Sequence, residues 1–141
     1  MEHCGSLSNK ALGTSYEERL AEELFNRGFW VHLMRQTEAG QPADLIACRN
    51  GKAFLIDAKV CSDGIFPLSR IEPNQEMAMK AFMDAGNETG WFALLVDDET
   101  YMLPLSFFLM HRAWSGRSLS KKTIKDRAFT LNEWERQWFT A

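Results

Sequence analysis

The stretch that decides the fold runs from Asp44 to Val60 and reads DLIACRNGKAFLIDAKV. Two apolar runs flank the dipeptide Asn50-Gly51. Asn-Gly between such runs is the strongest short-range signal for a β-hairpin, because a type I′ turn needs positive φ at both central residues. Counting outward from the turn places Asp44 directly opposite Asp57. We therefore expect a hairpin whose open end holds two carboxyl groups.

The open end of this hairpin also carries an amine, because Lys59 points to the same face as Asp57. The neighbouring residues are apolar on both faces, which predicts a position inside a sheet. Two opposed carboxylates there repel each other, by about 0.2–1 kcal/mol on a wet sheet and by more where water is excluded. A divalent cation would relieve this repulsion, and one or two carboxylates with water is the usual protein ligand set for Mg²⁺. The alternative is that one aspartate lies at a frayed edge or pairs with Lys59 or an arginine.

The composition of the chain is that of an ordinary globular protein. It has 141 residues, 45% hydrophobic, with a formal net charge of −3. This length predicts one domain, and the charge gives no global sign of nucleic-acid binding. Three cysteines without metal-ligand spacing are expected to be reduced thiols: Cys4, Cys48 and Cys61. We find no signal-peptide pattern and no membrane-spanning run, which favours a cytoplasmic location.

The order of predicted elements indicates an α/β fold, a mixed β-sheet flanked by helices. Residues 1–12 are expected to form a flexible tail, and residues 13–141 a single domain. The predicted elements are a helix over Gly13–Gly28, a strand over Phe29–Met34, the hairpin, a helix from an Asn74 cap to Asp84, strands over Trp91–Val96 and Tyr101–Leu103, a short helix capped by Ser106, and a helix opened by Thr130-x-x-Glu133.

Two residues of the predicted elements, Glu17 and His32, could have either a structural or a functional role. Glu17 borders the apolar stripe of the first helix, but Thr14-x-x-Glu17 and Ser15-x-x-Glu18 are both capping-box patterns, so Glu17 is either a cap or a site residue. His32, next to the hairpin in sequence, is expected to be a packed or surface residue rather than a metal ligand.

Positive charge is concentrated in residues 111–127, where Asp126 is the only acidic residue. On a net-acidic chain this basic segment is the obvious place for phosphate contacts. The alternative is a solvated surface without a ligand. The six candidate nucleic-acid-binding residues are Arg112, Arg117, Lys121, Lys122, Lys125 and Arg127.

The pattern of Asp44 followed by Asp57-Ala58-Lys59 resembles the core motif of the PD-(D/E)XK nuclease superfamily, with its restriction-endonuclease-like fold. The helix opening Gly13 to Glu18 resembles that of RecU-type Holliday-junction resolvases. The segment after the lysine, with Phe66-Pro67-Leu68, Ile71 and Gln75, is similar to the same family. The stretch from Gly116 to Lys125 is loosely similar to the C-terminal region of that family. Residues 35–42 form only a short loop, so the resemblance is to a short form without the stalk insertion of RecU.

The resemblance implies a metal-dependent DNA endonuclease that resolves Holliday junctions. Glu17, Asp44 and Asp57 would hold Mg²⁺, with Mn²⁺ as a possible substitute. Lys59 would activate the attacking water and offset charge on the scissile phosphate, and Gln75 would assist from the next helix. Two symmetric cuts need two active sites, so the resemblance also implies a homodimer on branched DNA. Its apolar contact is expected to come from Phe107, Phe108, Trp134 or Trp138.

Two other functions remain open on the sequence. A flap or duplex nuclease of the same superfamily would use the same residues on a different DNA. A DNA- or protein-binding module would keep the nuclease-like fold without catalysis. The complete set of candidate site residues favours an enzyme, and the acidic composition favours some change of role.

Overall fold

The computed structural model describes residues 9–35 and 40–139, with side chains from residue 15 onward. A 3₁₀ turn at Leu68–Arg70 precedes the second helix. The helices are α1 (Asn9–Asn26), α2 (Pro73–Asp84), α3 (Leu105–Trp114), α4 (Lys121–Arg127) and α5 (Leu131–Trp138). The strands are β1 (Trp30–Leu33), β2 (Leu45–Arg49), β3 (Lys52–Val60), β4 (Ile65–Pro67), β5 (Trp91–Val96), β6 (Glu99–Pro104), β7 (Ser118–Ser120) and β8 (Phe129–Thr130).

The main sheet has six strands in the order β1-β2-β3-β5-β6-β8. Strands β3 and β5 are parallel and joined by a crossover through α2, and the other neighbours are antiparallel. Strands β4 and β7 form a separate two-stranded sheet. The predicted α/β fold with a mixed sheet flanked by helices is therefore confirmed.

The hairpin β2–β3 forms as the Asn-Gly signal predicts. The φ angles of Asn50 and Gly51 are +51° and +81°, as a type I′ turn requires. The strands pair in the predicted register as far as Leu45 opposite Ile56. There the ladder ends, because the N–H of Asp44 donates to the carbonyl of Ile56 at 3.1 Å. The predicted last pair, Asp44 opposite Asp57, is therefore absent from the ladder.

Apolar cores lie on both faces of the sheet, which explains why the hairpin is apolar throughout. One core is formed with α1 and α5 and contains Leu20, Phe54 and Trp134. The other contains Leu55 with side chains from α3 and the two-stranded sheet, such as Phe108. Burial on both faces fixes the position of β3, and with it the position of the residues at its end.

The first helix begins earlier than the sequence indicates. It starts at Asn9, inside the predicted tail 1–12, of which residues 1–8 lie outside the described part of the chain. Positions 14 and 15 are therefore within the helix and cannot be its N-caps, so both capping-box interpretations of Glu17 and Glu18 are wrong. Glu17 is therefore not used as a helix cap, and its side chain is available to the cleft described below.

The second and third helices begin at other caps than predicted. Glu72, not Asn74, is the N-cap of α2, and its capping box is closed by the side chain of Gln75. Pro104, not Ser106, precedes α3. The capping box of Thr130 and Glu133 at α5 is confirmed.

Two of the four residues predicted for a dimer contact are part of the core. Trp134 is fully buried and Phe108 is 2% exposed, so neither can contact a partner, and that part of the prediction is wrong. The large apolar side chains that are exposed lie elsewhere, above all Trp114 at 84%. None of the described helices is both long and apolar enough to cross a membrane.

Candidate active site

A cleft of about 680 Å³ opens where the hairpin ends, between the loop before β2 and the start of α2. Four of the five predicted catalytic residues line it: Glu17, Asp44, Lys59 and Gln75. The fifth, Asp57, is fully buried and contacts Lys59 and Gln75. The structure thus brings all five together, although they come from α1, the β2–β3 hairpin and α2.

The carboxyl group of Asp57 is held from two sides. Gln75 donates a hydrogen bond from Nε2 to Oδ1 at 2.8 Å, and Nζ of Lys59 lies 2.9 Å from Oδ2. Apart from this ion pair, Oδ2 has no hydrogen-bond donor among the described residues. A carboxylate oxygen has more than one acceptor site, so this atom can receive a ligand in addition to the contact with Lys59.

Asp44 is held in place by two short hydrogen bonds. Gln41 donates from Nε2 to Oδ1 at 2.7 Å, and the backbone N–H of Ala58 donates to Oδ2 at 2.7 Å. The bond to Ala58 is possible because the ladder ends at Leu45, which leaves that N–H without a strand partner. Asp44 is only 6% exposed, so its orientation is fixed before any ligand binds.

The carboxyl groups of the site disfavour one another's charge. The pKa of Asp57 is raised to about 8, first by burial and then by the nearby Asp44, while Lys59 lowers it. Burial also raises the pKa of Glu17 to about 7, with the neighbouring Asp44 as the next cause. Two groups with raised pKa values beside one amine leave the ionised site with an excess of negative charge.

This donor set fits a hard divalent cation. In the described part of the chain, no three His, Cys, Asp or Glu side chains are arranged to hold a metal ion by themselves. Mg²⁺ does not need such a cage, because one or two carboxylates and water usually suffice. Oδ2 of Asp57, whose partner among the described residues is Lys59, and the mutual repulsion with Asp44 are the features that a cation would satisfy.

Two residues of the cleft escaped the sequence analysis. Gln41 belongs to the loop before β2, where no periodic pattern singles it out. Arg70 also lines the cleft, where it donates to the carbonyl of Val60 at 2.8 Å and lies 5.2 Å from the ring centroid of Phe66. A lone arginine in a connector carries no signal, because only the tertiary fold brings it to the cleft.

The basic segment adjoins the outer wall of the cleft. Its strand β7 pairs with β4, which lines the cleft through Ile65 and Pro67. Four of its six cations form ion pairs within the chain: Arg112 with Glu76, Lys121 and Lys125 with Asp97, and Lys122 with Asp126. Arg127 lies 5.7 Å from the ring of Phe107, and the side chain of Arg117 is exposed. The segment is therefore less positive than its sequence indicates.

The remaining candidates lie away from the cleft or outside the described residues. His32 is exposed on β1 and stacks on Trp30, with ring centroids 6.1 Å apart. Cys48 and Cys61 are free thiols, as expected, and Cys4 falls within the residues that are not described.

No protein-family profile and no curated protein matches the sequence. Solved structures do resemble the fold, among them the Holliday junction resolvase Hjc from the archaeal hyperthermophile Archaeoglobus fulgidus. That pair has a TM-score of 0.68 and 18% identity over 89% of this chain and 99% of the other. The bacterial homing endonuclease I-Ssp6803I has a TM-score of 0.53 and 15% identity over 79% of this chain and 73% of the other. The chain thus has a restriction-endonuclease-like fold, and neither likeness points to RecU in particular.

Proposed function

We propose that this chain is a metal-dependent endonuclease that hydrolyses phosphodiester bonds in branched DNA, with the four-way junction as preferred substrate. The observation that carries the proposal is the cleft, where Glu17, Asp44 and Lys59 surround the buried Asp57. The similarity of the fold to a Holliday junction resolvase supports the choice of substrate.

The proposed ligands of Mg²⁺, with Mn²⁺ as a substitute, are the carboxyl groups of Asp44, Asp57 and Glu17 together with water, because the described carboxyl groups are not arranged to hold an ion by themselves. When bound, the ion supplies positive charge that stabilises the negative charge developing on the phosphate. Lys59 adds a fixed positive charge that lines the same cleft. Gln75 holds Asp57 in one orientation through its amide.

The proposed DNA path crosses the cleft and reaches the basic segment. Lys59 and Arg70 are the lysine and arginine residues that line the cleft in the described part of the chain. The basic segment continues from there through β7, which pairs with the cleft strand β4. Its ion pairs are on the surface and therefore weak, so the four paired cations can exchange their carboxylate partners for phosphates and join Arg117 and Arg127.

A homodimer remains part of the proposal, because paired cuts in a four-way junction need two active sites. The contact surface cannot be the buried Phe108 and Trp134. Light scattering at micromolar protein tests the assembly directly. A mass of two chains is expected, and a mass of one chain would contradict paired cutting.

The second candidate function is cleavage of duplex DNA. The structural similarity to a homing endonuclease favours it, since that enzyme shares the fold. The same cleft residues would then act on a different substrate. The alternative of a binding module without catalysis has less support, because the candidate residues are assembled in one cleft.

The experiment that tests the proposal uses labelled four-way junction, flap, nicked duplex and linear duplex, each with Mg²⁺ or with EDTA. Mg²⁺-dependent paired nicks in the junction are expected. Cleavage of flap or linear duplex instead would keep the active site and change the substrate. Binding without cleavage, with either Mg²⁺ or Mn²⁺, would contradict the enzyme and favour the binding module.

A further inference from the structure

We propose that Gln41 is a positioning residue of the metal site, and that the first turn of α2 sets the placement of both aspartates, of Asp57 through Gln75 and of Asp44 through Gln41. This inference rests on the proposed function, because it assigns residues that orient the metal ligands. Gln41 is 8% exposed and lines the cleft. Its Nε2 donates to Oδ1 of Asp44 at 2.7 Å.

The backbone of Gln41 is itself tied to α2. Asn74 donates a hydrogen bond from Nδ2 to the carbonyl of Gln41 at 3.3 Å. The preceding residue, Gly40, has a φ of +84°, and a Cβ there would stand 2.7 Å from Nδ2 of Asn74. Glycine suits this position because a φ of +84° is strained for a residue that carries a Cβ.

The next residue of the helix holds the other aspartate. Gln75 donates from Nε2 to Oδ1 of Asp57 at 2.8 Å, and its Oε1 accepts the N–H of Glu72 at 3.2 Å. Consecutive residues of one helical turn thus reach the two carboxyl groups, one directly and one through Gln41. Because the same turn fixes both, the spacing of the carboxyl groups does not depend on the hairpin alone.

The two glutamines differ in one respect that points to a ligand. Oε1 of Gln75 has a donor, but Oε1 of Gln41 is buried and has none among the described residues. An unpaired buried amide oxygen is unfavourable, so a structural role alone does not explain it. This oxygen is available to accept a hydrogen bond from water or substrate that enters the cleft.

The test compares four proteins: wild type, Gln41→Met, Asn74→Ala and, as matched control, Gln137→Met, an exposed residue of α5. Mn²⁺ affinity is measured by titration calorimetry without DNA, and the electron paramagnetic resonance spectrum of bound Mn²⁺ is recorded. Loss of a residue that orients a metal ligand typically costs 10- to 100-fold in affinity. We expect a loss of about tenfold and an altered spectrum for Gln41→Met, a loss of about threefold for Asn74→Ala, and wild-type values for Gln137→Met.

Melting temperatures without metal show whether each variant is folded, and cleavage at saturating Mn²⁺ should show a lower kcat with unchanged KM for Gln41→Met. Wild-type Mn²⁺ affinity and spectrum in a folded Gln41→Met would overturn the inference and leave the proposed function intact. If Gln41→Met does not fold, Asn74→Ala decides in the same way. If the wild type binds no Mn²⁺ and cuts no DNA, the proposed function fails and the inference with it.

Discussion

The cleft and the basic segment treat their charges in opposite ways. In the cleft, carboxyl groups of three elements lie together with one adjacent amine, and burial raises the pKa of Asp57 and Glu17. In the basic segment, most cations already have a carboxylate partner on the surface, as Lys121 and Lys125 share Asp97. The basic segment thus balances most of its charges within the chain, whereas the carboxyl groups of the cleft disfavour one another's ionisation, and this difference is the reason for proposing a cation in the cleft.

The largest expected effect is on the rate of DNA cleavage when a carboxyl group of the cleft is removed. Asp57→Asn should lower the rate of DNA cleavage by at least about 10³-fold, because it removes a metal ligand that stabilises charge by several kcal/mol. The rate is measured on whichever labelled DNA the wild type cuts. The matched control is Asp63→Asn, an exposed aspartate that lines the same cleft, and it should cut within a few-fold of wild type. Equal rates for wild type and Asp57→Asn would contradict the assignment of the site.

The stability of the metal-free protein should depend on pH through the same groups. The pKa values of Asp57 and Glu17 are about 8 and about 7 in the folded protein, above those of an unfolded chain. The folded state therefore holds more protons between about pH 4 and pH 8, and the free energy of unfolding falls as the pH rises through this range. We therefore expect the melting temperature to fall as the pH rises through this range.

The control for this pH effect is Asp57→Asn, which should show a shallower fall of melting temperature over the same range. Mg²⁺ at pH 8 should raise the melting temperature of the wild type, because it binds the folded state only. It should raise that of Asp57→Asn less. If the melting temperatures of wild type and Asp57→Asn fall equally with pH, Asp57 does not have a raised pKa in the folded protein.

A smaller effect is expected when Arg70, a cation of the cleft, is removed. Arg70→Ala should weaken binding of four-way junction DNA about fivefold and reduce the salt dependence by about one phosphate contact. Binding is measured with EDTA, so that no cleavage occurs. Lys52→Ala serves as control, because Lys52 lies at the turn of the hairpin, far along β3 from the cleft. If both variants lose DNA affinity equally, the loss reflects the change in net charge, and Arg70 does not contact DNA in the cleft.

The smallest expected effect is on DNA binding by the basic segment, whose cations are already paired with carboxylates. Asp97→Asn frees Lys121 and Lys125 from their shared carboxylate and should strengthen DNA binding about two- to threefold at low salt. Asparagine suits the position, because Asp97 has a φ of +50° and asparagine tolerates that conformation. The gain should disappear at high salt. Unchanged binding at low salt would mean that Lys121 and Lys125 do not contact DNA.

The sequence predicted those parts of the fold that local signals determine. The Asn-Gly turn, the buried strand β5 and the capping box of α5 are all decided by neighbouring residues, and they are where the patterns place them. The short sheet of β4 and β7 was missed, because its strands are three residues each and pair across a long stretch of sequence.

In the candidate site, too, the residues that are close in sequence could be predicted and those brought together by long-range contacts could not. The motif residues Asp44, Asp57 and Lys59 are close in sequence, and their grouping could be predicted from the alternation of a hairpin. Gln41 and Arg70 could not, because they reach the cleft only through contacts with α2 and β3. An aromatic residue likewise does not indicate whether it faces the core or a partner, which is why Phe108 and Trp134 were misassigned.

The central claim is that the carboxyl groups of Asp44 and Asp57 hold a divalent cation. The most direct test is the anomalous difference map of a crystal soaked in Mn²⁺. The account predicts one strong peak within ligand distance of both carboxyl groups in the cleft. A map without a peak there, from crystals that show Mn²⁺ elsewhere or not at all, would contradict the account.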